Sequence, residues 1–544
     1  MLRKRFIPVL LAGAVSAGLL AGCNDNDKGN EASPTAGGSA SPSASTSLLD
    51  SSNKFPQAVT IDIPVYDRAY EGWNVTDNYY TRWIQKEMLE KHNVKVNFVQ
   101  IARFNEVRDF EQLLSARKAP DLIFHYEMAQ MLTYHGEEVL QPVNSEEIAK
   151  YAPTYWKKIG DTIEKYGSVN DKKMFLFAKR PDIGNFVSIV RKDWVEKVGM
   201  KVEDLTSLDK YHEMLMKWKQ AGLGVAGAGL TRNIYNYSYA FRDWPVNPKD
   251  HALFSDMAVA DFTSAATERW LKNMNYEYTN GLIDKEFYLR DDENKNKAEF
   301  VAGRTGTFGL YLTSNADVFA ATKKNNPGAT FAVLPPGWGV PAGKEAPARA
   351  DWPFGLIMGI NHTSTEQERV AVWLYLEWLS QPKNLFYLQN GVEGQNYKLD
   401  ADGLPVKVAD YKGESMLSQN NNKDYWSLVT EAVEFGSDEL TAKVNRRNWT
   451  VPGQEHLTDD LFKYMKVGLE YRVTDPLFSV VLKKVNEHKA DLNALFQELY
   501  LKIVMSPPEQ FDKLYADAKK KFLEAGYQEI LDEKLKAFEA GKVR

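Results

Sequence analysis

The most constraining feature of this sequence is an alternation of strand and helix patterns near its beginning. Residues 58–64 and 94–101 alternate apolar and polar side chains with the period of a strand, and residues 120–124 form a short apolar run. Helical spacing of apolar residues occupies 78–91 and 106–117, between these strands. Right-handed crossovers in such a β-α-β-α-β unit favour a parallel sheet, and the ligand side of that sheet lies at the carboxyl ends of its strands.

The alternation continues as a second α/β region. Its strand patterns lie at 186–190, 305–312, 331–334 and 356–360, and its helical patterns at 207–219, 266–280 and 366–380. Beyond residue 420 the pattern is almost wholly helical. The sequence therefore predicts an α/β protein with a helical C-terminal region and no internal repeat.

Composition excludes several kinds of site. The chain of 544 residues carries 67 Lys and Arg against 73 Asp and Glu, a net charge of -6, without the basic excess typical of a nucleic-acid-binding protein. Its single cysteine, Cys23, excludes an intrachain disulfide framework and Cys-cluster zinc or iron–sulfur sites. We therefore predict no metal site and no cofactor, although the sequence leaves a structural calcium ion undecided.

The N-terminal segment predicts export. Three basic residues at 3–5 precede an apolar run that is shorter than a typical transmembrane helix. The run ends in Leu-Ala-Gly-Cys at Cys23. This ending resembles the lipobox of bacterial lipoproteins, and the alternative is an ordinary signal peptide with a chance cysteine. The resemblance implies a lipoprotein signal peptide at 1–22 and diacylglycerol on the Cys23 thiol. Residues 23–54, rich in Gly, Ser and Pro, are expected to form a disordered tether.

Six further segments match, in the same order, segments of a known family. They are LLSARKAPDLIF at 113–124, SIVRKDWVEKVG at 188–199, SLDKY at 207–211, YTNGLIDKEF at 278–287, FVAGRTGTFG at 300–309 and GVEGQNY at 391–397. Together they resemble the extracellular solute-binding lipoproteins of bacterial ABC importers, in the carbohydrate-associated group that includes maltose-binding-like proteins. Asn280 and Lys285 depart from the family pattern.

The resemblance implies a two-lobed periplasmic-binding-protein-like fold with a hinge between the lobes. We expect 55–180 and 313–390 in the N-terminal lobe, and 181–312 and 391–544 in the C-terminal lobe. The implied function is capture of a carbohydrate, an oligosaccharide above all, by lobe closure and its delivery to the transmembrane subunits of an ABC permease. The protein would be a monomer that binds no nucleic acid, held on the outer face of the cell membrane by its lipidated cysteine.

Motifs for catalysis are scarce. The sequence has no HExxH, no Gly-x-Ser-x-Gly and no phosphate-binding loop. Residues 222–227 match GxGxxG, but they follow a helical pattern, which favours a helix C-cap over a dinucleotide site. Glu127, Asp243, Asp351 and Glu393 lie in aromatic settings and could serve a glycosidase. We predict a binding protein that is not an enzyme, and the alternatives are a peptide or other polar-solute receptor and a surface polysaccharide-active enzyme.

Loops that combine aromatic and polar side chains mark the candidate ligand site. Sugars stack their C–H faces on Trp and Tyr, and their hydroxyls require Asn, Asp, Glu or Arg in the same place. Any one of these rings could instead be a core residue, as we expect for Trp194, Trp373 and Trp378. At least one of Trp73, Trp244 and Trp352 is expected to stack on the ligand. The candidate ligand-binding residues are Tyr70, Trp73, Asn74, Tyr126, Glu127, Tyr237, Asp243, Trp244, Tyr311, Asn315, Trp352 and Glu393.

Overall fold

The computed structural model describes residues 48–180, 186–227, 247–255, 259–289, 293–312, 315–335, 348–350, 352–408, 411–417, 422–470 and 472–544. Several sequence predictions lie outside these residues. They are the signal peptide, Cys23, the tether up to residue 47, and the candidate residues Tyr237, Asp243, Trp244 and Asp351.

The described part of the chain alternates strands and helices. Its strands are β1 (Val59–Asp67), β2 (Val94–Ala102), β3 (Leu122–His125), β4 (Leu140–Gln141), β5 (Ser168–Val169), β6 (Lys172–Lys173), β7 (Leu176–Lys179), β8 (Phe186–Arg191), β9 (Thr307–Tyr311), β10 (Phe331–Val333), β11 (Ala348–Ala350), β12 (Phe354–Asn361), β13 (Tyr397–Leu399), β14 (Pro405–Lys407) and β15 (Arg472–Thr474). Its α-helices are α1 (Tyr79–His92), α2 (Glu106–Ser115), α3 (Met128–Gly136), α4 (Ser145–Tyr151), α5 (Pro153–Tyr166), α6 (Lys192–Lys197), α7 (Leu208–Gln220), α8 (Pro248–Phe254), α9 (Ala265–Thr279), α10 (Glu293–Val301), α11 (Ala316–Asn325), α12 (Glu366–Ser380), α13 (Pro382–Asn390), α14 (Lys423–Trp426), α15 (Asp438–Asn448), α16 (Glu455–Glu470), α17 (Lys483–Val504), α18 (Phe511–Phe522) and α19 (Gln528–Glu539). None of these helices combines the length and apolar character that a membrane span requires.

Local sequence signals explain where the helices begin and end. Asn78 starts α1 with a capping box, because its side chain accepts the Thr81 N–H while the Thr81 hydroxyl accepts the Asn78 N–H. After α7, Gly222 adopts φ +66, and the Leu223 N–H donates to the Trp218 carbonyl at 2.9 Å. The GxGxxG sequence therefore ends a helix, as predicted.

The first two sheets, β1 with β2 and β12 with β3, β4 and β7, bring together strands from distant parts of the chain. β1 and β2 are parallel, in register from Val59↔Val94 to Asp67↔Ala102, which confirms the predicted parallel pairing. β3 is tied to β1 through Asp121, whose backbone N–H donates to the Asp62 carbonyl at 2.9 Å. β12 then runs antiparallel to β3, β4 and β7, a pairing that the sequence patterns did not predict.

The remaining sheets are smaller. In the three-stranded sheet of the second region, β8 lies between β10 and β9 and is antiparallel to both. β5 with β6 and β13 with β14 form hairpins, and β11 pairs in parallel with β15.

Three hydrophobic clusters form the core. The first contains Ile61 and Trp373 together with Trp426 from far along the chain, and it also buries Leu49, which the sequence assigned to the tether. The second contains Trp218 and Trp270 packed with the C-terminal helices. The third places β10 and α16 against β8. The tryptophans at 194, 373 and 378 are buried, so their assignment to the core is confirmed.

Candidate functional site

Charged and aromatic side chains gather at the carboxyl ends of the first three strands. Arg68 follows β1, Arg103 follows β2 and Tyr126 follows β3. Because Asp67 pairs with Ala102 at the end of the parallel ladder, the two arginines leave the sheet at the same edge. Contacts from distant segments complete a group that we name the ligand-side cluster. Its members are Tyr66, Arg68, Arg103, Tyr126, Arg180, Lys423, Asp424 and Glu431.

Two stacked rings form the apolar part of the ligand-side cluster. The Tyr66 and Tyr126 ring centroids lie 6.0 Å apart with an interplanar angle of 13°. The guanidinium carbon of Arg103 lies 5.0 Å from each of the two centroids. This geometry is a cation–π arrangement that orients the guanidinium against the rings.

Two ion pairs link this edge to residues 423–431. The Arg68 Nε and Nη2 atoms donate to the Asp424 carboxylate at 2.8 and 2.9 Å, and the Asp424 side chain is 1% exposed. Burial raises the pKa of Asp424, and the Arg68 guanidinium opposes that increase. Arg180 Nε donates to Glu431 Oε2 at 2.8 Å. A Cβ at Gly355 would overlap the Glu431 carboxylate, so this close approach to β12 requires glycine.

Several polar atoms in the ligand-side cluster keep unused hydrogen-bonding capacity. The Tyr66 hydroxyl, Arg103 Nε and Glu431 Oε1 are buried, and none makes a hydrogen bond within the described ranges. Burial lowers the pKa of the Lys423 ammonium, while Glu431 and Asp424 act in the opposite direction. Buried polar groups are normally paired, so these three atoms mark this edge as the candidate binding site, although similar atoms occur elsewhere in the described core.

A neutral histidine lies beside the carboxylate that holds Arg103. His125 Nδ1 accepts the Glu127 backbone N–H at 2.8 Å, and its Nε2 lies 3.5 Å from Glu106 Oε1. Glu106 in turn accepts a hydrogen bond from Arg103 Nη1 at 2.7 Å. Burial, together with the Arg103 charge, lowers the pKa of His125 to about 4. The imidazole is therefore uncharged near neutral pH. It lies beside the Glu106 carboxylate, which accepts a hydrogen bond from Arg103 and orients its guanidinium.

The structure brings some of the sequence-predicted residues to this edge. Tyr126 belongs to the ligand-side cluster, and Tyr70 is half-buried and close enough to Arg68 to affect the pKa of its guanidinium. Glu127 is exposed at the start of α3. Trp73 is half-buried against the first hydrophobic cluster. Asn74 is exposed and shapes a turn, because its Oδ1 accepts from the backbone N–H groups of residues 76 and 77.

The other described candidates are Trp352, Tyr311, Asn315 and Glu393. Trp352 is next in sequence to Pro353, whose carbonyl accepts the Arg180 N–H of the ligand-side cluster at 3.0 Å. Trp352 packs on Tyr166 and stacks on Phe354, with ring centroids 5.6 and 5.7 Å away. Tyr311 is 55% exposed at the carboxyl end of β9, where Asn315 donates to its carbonyl oxygen. Glu393 is exposed beside β13. The ligand contacts of all these candidates stay predictions.

Sequence reasoning left out most of the ligand-side cluster. Arg68 and Arg103 come directly after β1 and β2 and within four residues of the ends of the predicted strands, and this position could have identified both residues from the sequence. Phe104 gives a second one, because this large aromatic residue after β2 is 82% exposed. Lys423, with its neighbours in 424–431, has no comparable local signal, because only tertiary contacts bring it to the sheet.

The described residues hold one further group of potential metal ligands, in α17 and α19. Carboxylate and imidazole atoms of Glu487, His488 and Glu529 lie within 4.8 Å of one another. The Lys484 ammonium contacts both carboxylates, at 2.9 and 2.6 Å. The lysine pairs with both carboxylates that would hold a cation, so this group is an ion-pair network.

These features together define a solute-binding protein of the two-lobed α/β class. The chain belongs to the family of bacterial extracellular solute-binding proteins, whose family model matches residues 83–390. The family is one of binding proteins rather than enzymes, so the polysaccharide-active enzyme considered from the sequence is not supported.

Individual relatives are distant in sequence. The lipoprotein LipO of Bacillus subtilis strain 168 is 20% identical over 369 residues, which cover 63% of this chain and 72% of LipO. The structure of the alginate-binding protein AlgQ2 without calcium ion superimposes with a TM-score of 0.61 at 16% identity, covering 90% of this chain and 100% of AlgQ2. The Streptococcus pneumoniae ABC-transporter substrate-binding protein FusA in complex with kestose gives 0.57 at 15% identity, covering 89% of this chain and 99% of FusA. The predicted two-lobed fold is thereby confirmed.

Proposed function

We propose that this protein captures an oligosaccharide at the ligand-side cluster and delivers it to an ABC permease. The observation that carries the proposal is the combination of two stacked tyrosines with unused polar atoms at the carboxyl ends of the first strands. Pyranose rings present apolar faces for stacking and hydroxyls for charged and polar partners, so they match this combination. The description of AlgQ2 as an alginate-binding protein and the structure of FusA in complex with kestose support the same class of ligand.

Capture would proceed by closure of two lobes. The hydrophobic clusters suggest lobes that differ from those expected from the sequence, because 315–335 packs with β8, and Trp426 packs with β1. We place one crossing between Val433, which packs on the first cluster, and Trp449, which packs on the third. A ligand that contacts both lobes only in the closed form would shift the population towards it. Small-angle scattering should show a smaller radius of gyration with saturating ligand, and an unchanged profile would contradict the closure.

The membrane attachment in this proposal depends on Cys23. Two acyl chains on its thiol would anchor the protein, since each buried methylene contributes about 0.8 kcal/mol. The relative LipO is itself named a lipoprotein. A Cys23→Ala variant should leave the membrane fraction after a high-salt wash. Retention of that variant in the membrane fraction would contradict the anchor.

A thermal-shift screen against mono- and oligosaccharides tests the ligand class. A ligand at 100 times its dissociation constant should stabilise the protein by about 2.7 kcal/mol, which raises the unfolding midpoint. Amino acids and short peptides serve as the comparison set. Stabilisation by a peptide and by no saccharide would replace the carbohydrate proposal with a peptide receptor.

A further inference from the structure

We propose that Trp352 forms a second sugar-binding platform at the same edge as the ligand-side cluster, and that the distance between the two platforms selects a saccharide chain over a single sugar. The inference rests on the proposed carbohydrate-binding function and adds the residue that determines chain length. Both platforms belong to one lobe, because Tyr126 and Trp352 pack against the first hydrophobic cluster.

The pairing of β12 brings Trp352 to the carboxyl ends of the neighbouring strands. Phe354, the first residue of β12, pairs with Lys179, the last residue of the antiparallel strand β7. Trp352 precedes Phe354 by two residues, so it lies beyond this pair, at the edge where Arg180 also leaves the sheet. β3 ends at the same edge, because Ile357 of β12 pairs antiparallel with its last residue.

Local contacts hold Trp352 in this position. Pro353 disfavours a helical backbone at the residue before it. The Arg180 N–H donates to the Pro353 carbonyl at 3.0 Å, which ties this stretch of backbone to the ligand-side cluster. The Trp352 indole stacks on Phe354 with an interplanar angle of 13°, and the Tyr166 ring packs against it at 68°. The indole is therefore oriented before any ligand binds.

These contacts leave part of the indole available to a ligand. Phe354 is 1% exposed and completes the core at this point, whereas the Trp352 side chain that covers it is only half-buried. A sugar can stack its apolar C–H face on the remaining surface of the indole. This stacking is independent of the polar atoms in the ligand-side cluster, so it adds a separate contribution to affinity.

The two platforms are too far apart for one sugar. Trp352 lies five residues before Ile357, and Tyr126 lies one residue after His125, the partner of Ile357, which leaves an offset of four residues between the platforms. At about 3.3 Å per residue, this offset separates their Cα atoms by roughly 13 Å along the strands. A single pyranose ring can therefore stack on one platform only, whereas a chain of sugars can use both.

Titration calorimetry with size ladders tests the inference on the wild-type protein. Each ladder runs from the monosaccharide to the pentasaccharide, and the ladders are built from glucose, mannose, xylose and galacturonic acid. In the ladder that binds, the affinity should rise by at least about tenfold from the monosaccharide to the trisaccharide or tetrasaccharide. The rise is expected because only the longer members reach Trp352 from the ligand-side cluster.

Two other outcomes are distinguishable. A monosaccharide that binds as tightly as the longer members of its ladder would overturn the selection of a chain and leave the carbohydrate function standing. Failure of every saccharide to bind, in these ladders and in the thermal-shift screen, would remove the proposed function itself.

Variants then assign the selection to one residue. In Trp352→Ala the affinity for the longer members should fall about tenfold while the affinity for the shortest members stays at the wild-type value, so the rise along the ladder is lost. Trp352→Leu keeps an apolar side chain for folding but has no flat aromatic face, and it should lose the rise in the same way. Trp352→Phe keeps a ring and should retain most of the rise.

Trp156→Ala is the matched control. Trp156 is also half-buried against the first hydrophobic cluster, but it lies ten residues before Tyr166 on α5, or about 15 Å along the helix. Its removal should leave the rise along the ladder intact. A rise of wild-type size in a folded Trp352→Leu protein would overturn the role of Trp352.

Discussion

Two buried carboxylates in this protein are satisfied in opposite ways. Asp261, 2% exposed, accepts hydrogen bonds from the N–H and hydroxyl of Thr263 at 2.7 and 2.9 Å and from the Thr267 hydroxyl at 2.9 Å. The Ser264 N–H and the Tyr527 hydroxyl also donate to it. All of these donors are neutral, and most are within six residues along the chain.

Asp424 is held instead by a cation 356 residues away in the sequence. Around it, Glu431 Oε1 and Arg103 Nε keep unused capacity in buried positions. Local neutral donors fix a carboxylate and leave little for a ligand, whereas charges from separate elements leave capacity that a ligand can use. The contrast indicates a structural role for the Asp261 group and supports the binding role proposed for the ligand-side cluster.

The largest expected effect is a loss of unfolding free energy when the Asp261 carboxylate is removed. Asp261→Ala leaves several buried donors without an acceptor, and each unsatisfied group costs about 1–3 kcal/mol. We expect a loss on the order of 4 kcal/mol of unfolding free energy in urea, with ligand affinity unchanged where the protein is folded. Asp512→Ala, at an exposed position in α18, is the control and should change stability little. Equal stability of the two variants would refute the structural role of Asp261.

A smaller effect concerns pH and the histidine beside Arg103. Unfolded histidine has a pKa near 6.5, and burial lowers the pKa of folded His125 to about 4. The unfolded chain therefore binds a proton that the folded chain does not. This contribution to stability is complete above about pH 6.5 and decreases as the pH falls towards 4, by up to roughly 3 kcal/mol.

Urea unfolding at pH 7 and pH 4.5 measures this effect. His125→Gln keeps an acceptor for the Glu127 N–H but has no titrating group, so its loss of stability between the two pH values should be smaller than that of the wild type. Parallel losses in both proteins would show that His125 does not titrate as described.

The smallest expected effect concerns ligand affinity at the exposed rim. Phe104 is 82% exposed beside Arg103, so truncating it should change unfolding free energy by less than about 0.5 kcal/mol. If the ring stacks on the sugar, Phe104→Ala should weaken binding by about 1 kcal/mol, or roughly fivefold. Leu89→Ala, at an exposed apolar position in α1, is the control. Equal calorimetric affinities in the two variants would remove Phe104 from the site.

The sequence predicted local structure well because its signals are local. The helix predicted at 366–380 is observed as Glu366–Ser380, and the strand predicted at 94–101 as Val94–Ala102. Periodic burial and capping residues set such bounds without reference to the rest of the chain. The pairing of β12 with β3 and β7 depends on tertiary contacts, which no local pattern encodes.

The same distinction between local sequence signals and tertiary contacts applies to the candidate site. Tyr126 was identified because it follows a buried strand, and Arg103 was available to the same reasoning. The ion pair between Arg68 and Asp424 was not, since its partners are separated by most of the chain. For Trp352, sequence alone cannot separate packing from stacking, and its contacts with Tyr166 and Phe354 occupy part of its surface.

The most direct test of a ligand site at the carboxyl ends of the first strands is one calorimetric comparison. The saccharide found in the thermal-shift screen is titrated into the wild type, into Arg103→Met and into Arg108→Met, an exposed control on α2. We predict that Arg103→Met binds about thirtyfold more weakly, a loss of about 2 kcal/mol, while Arg108→Met matches the wild type. Wild-type affinity in a folded Arg103→Met protein would contradict the assignment of the ligand-side cluster as the binding site.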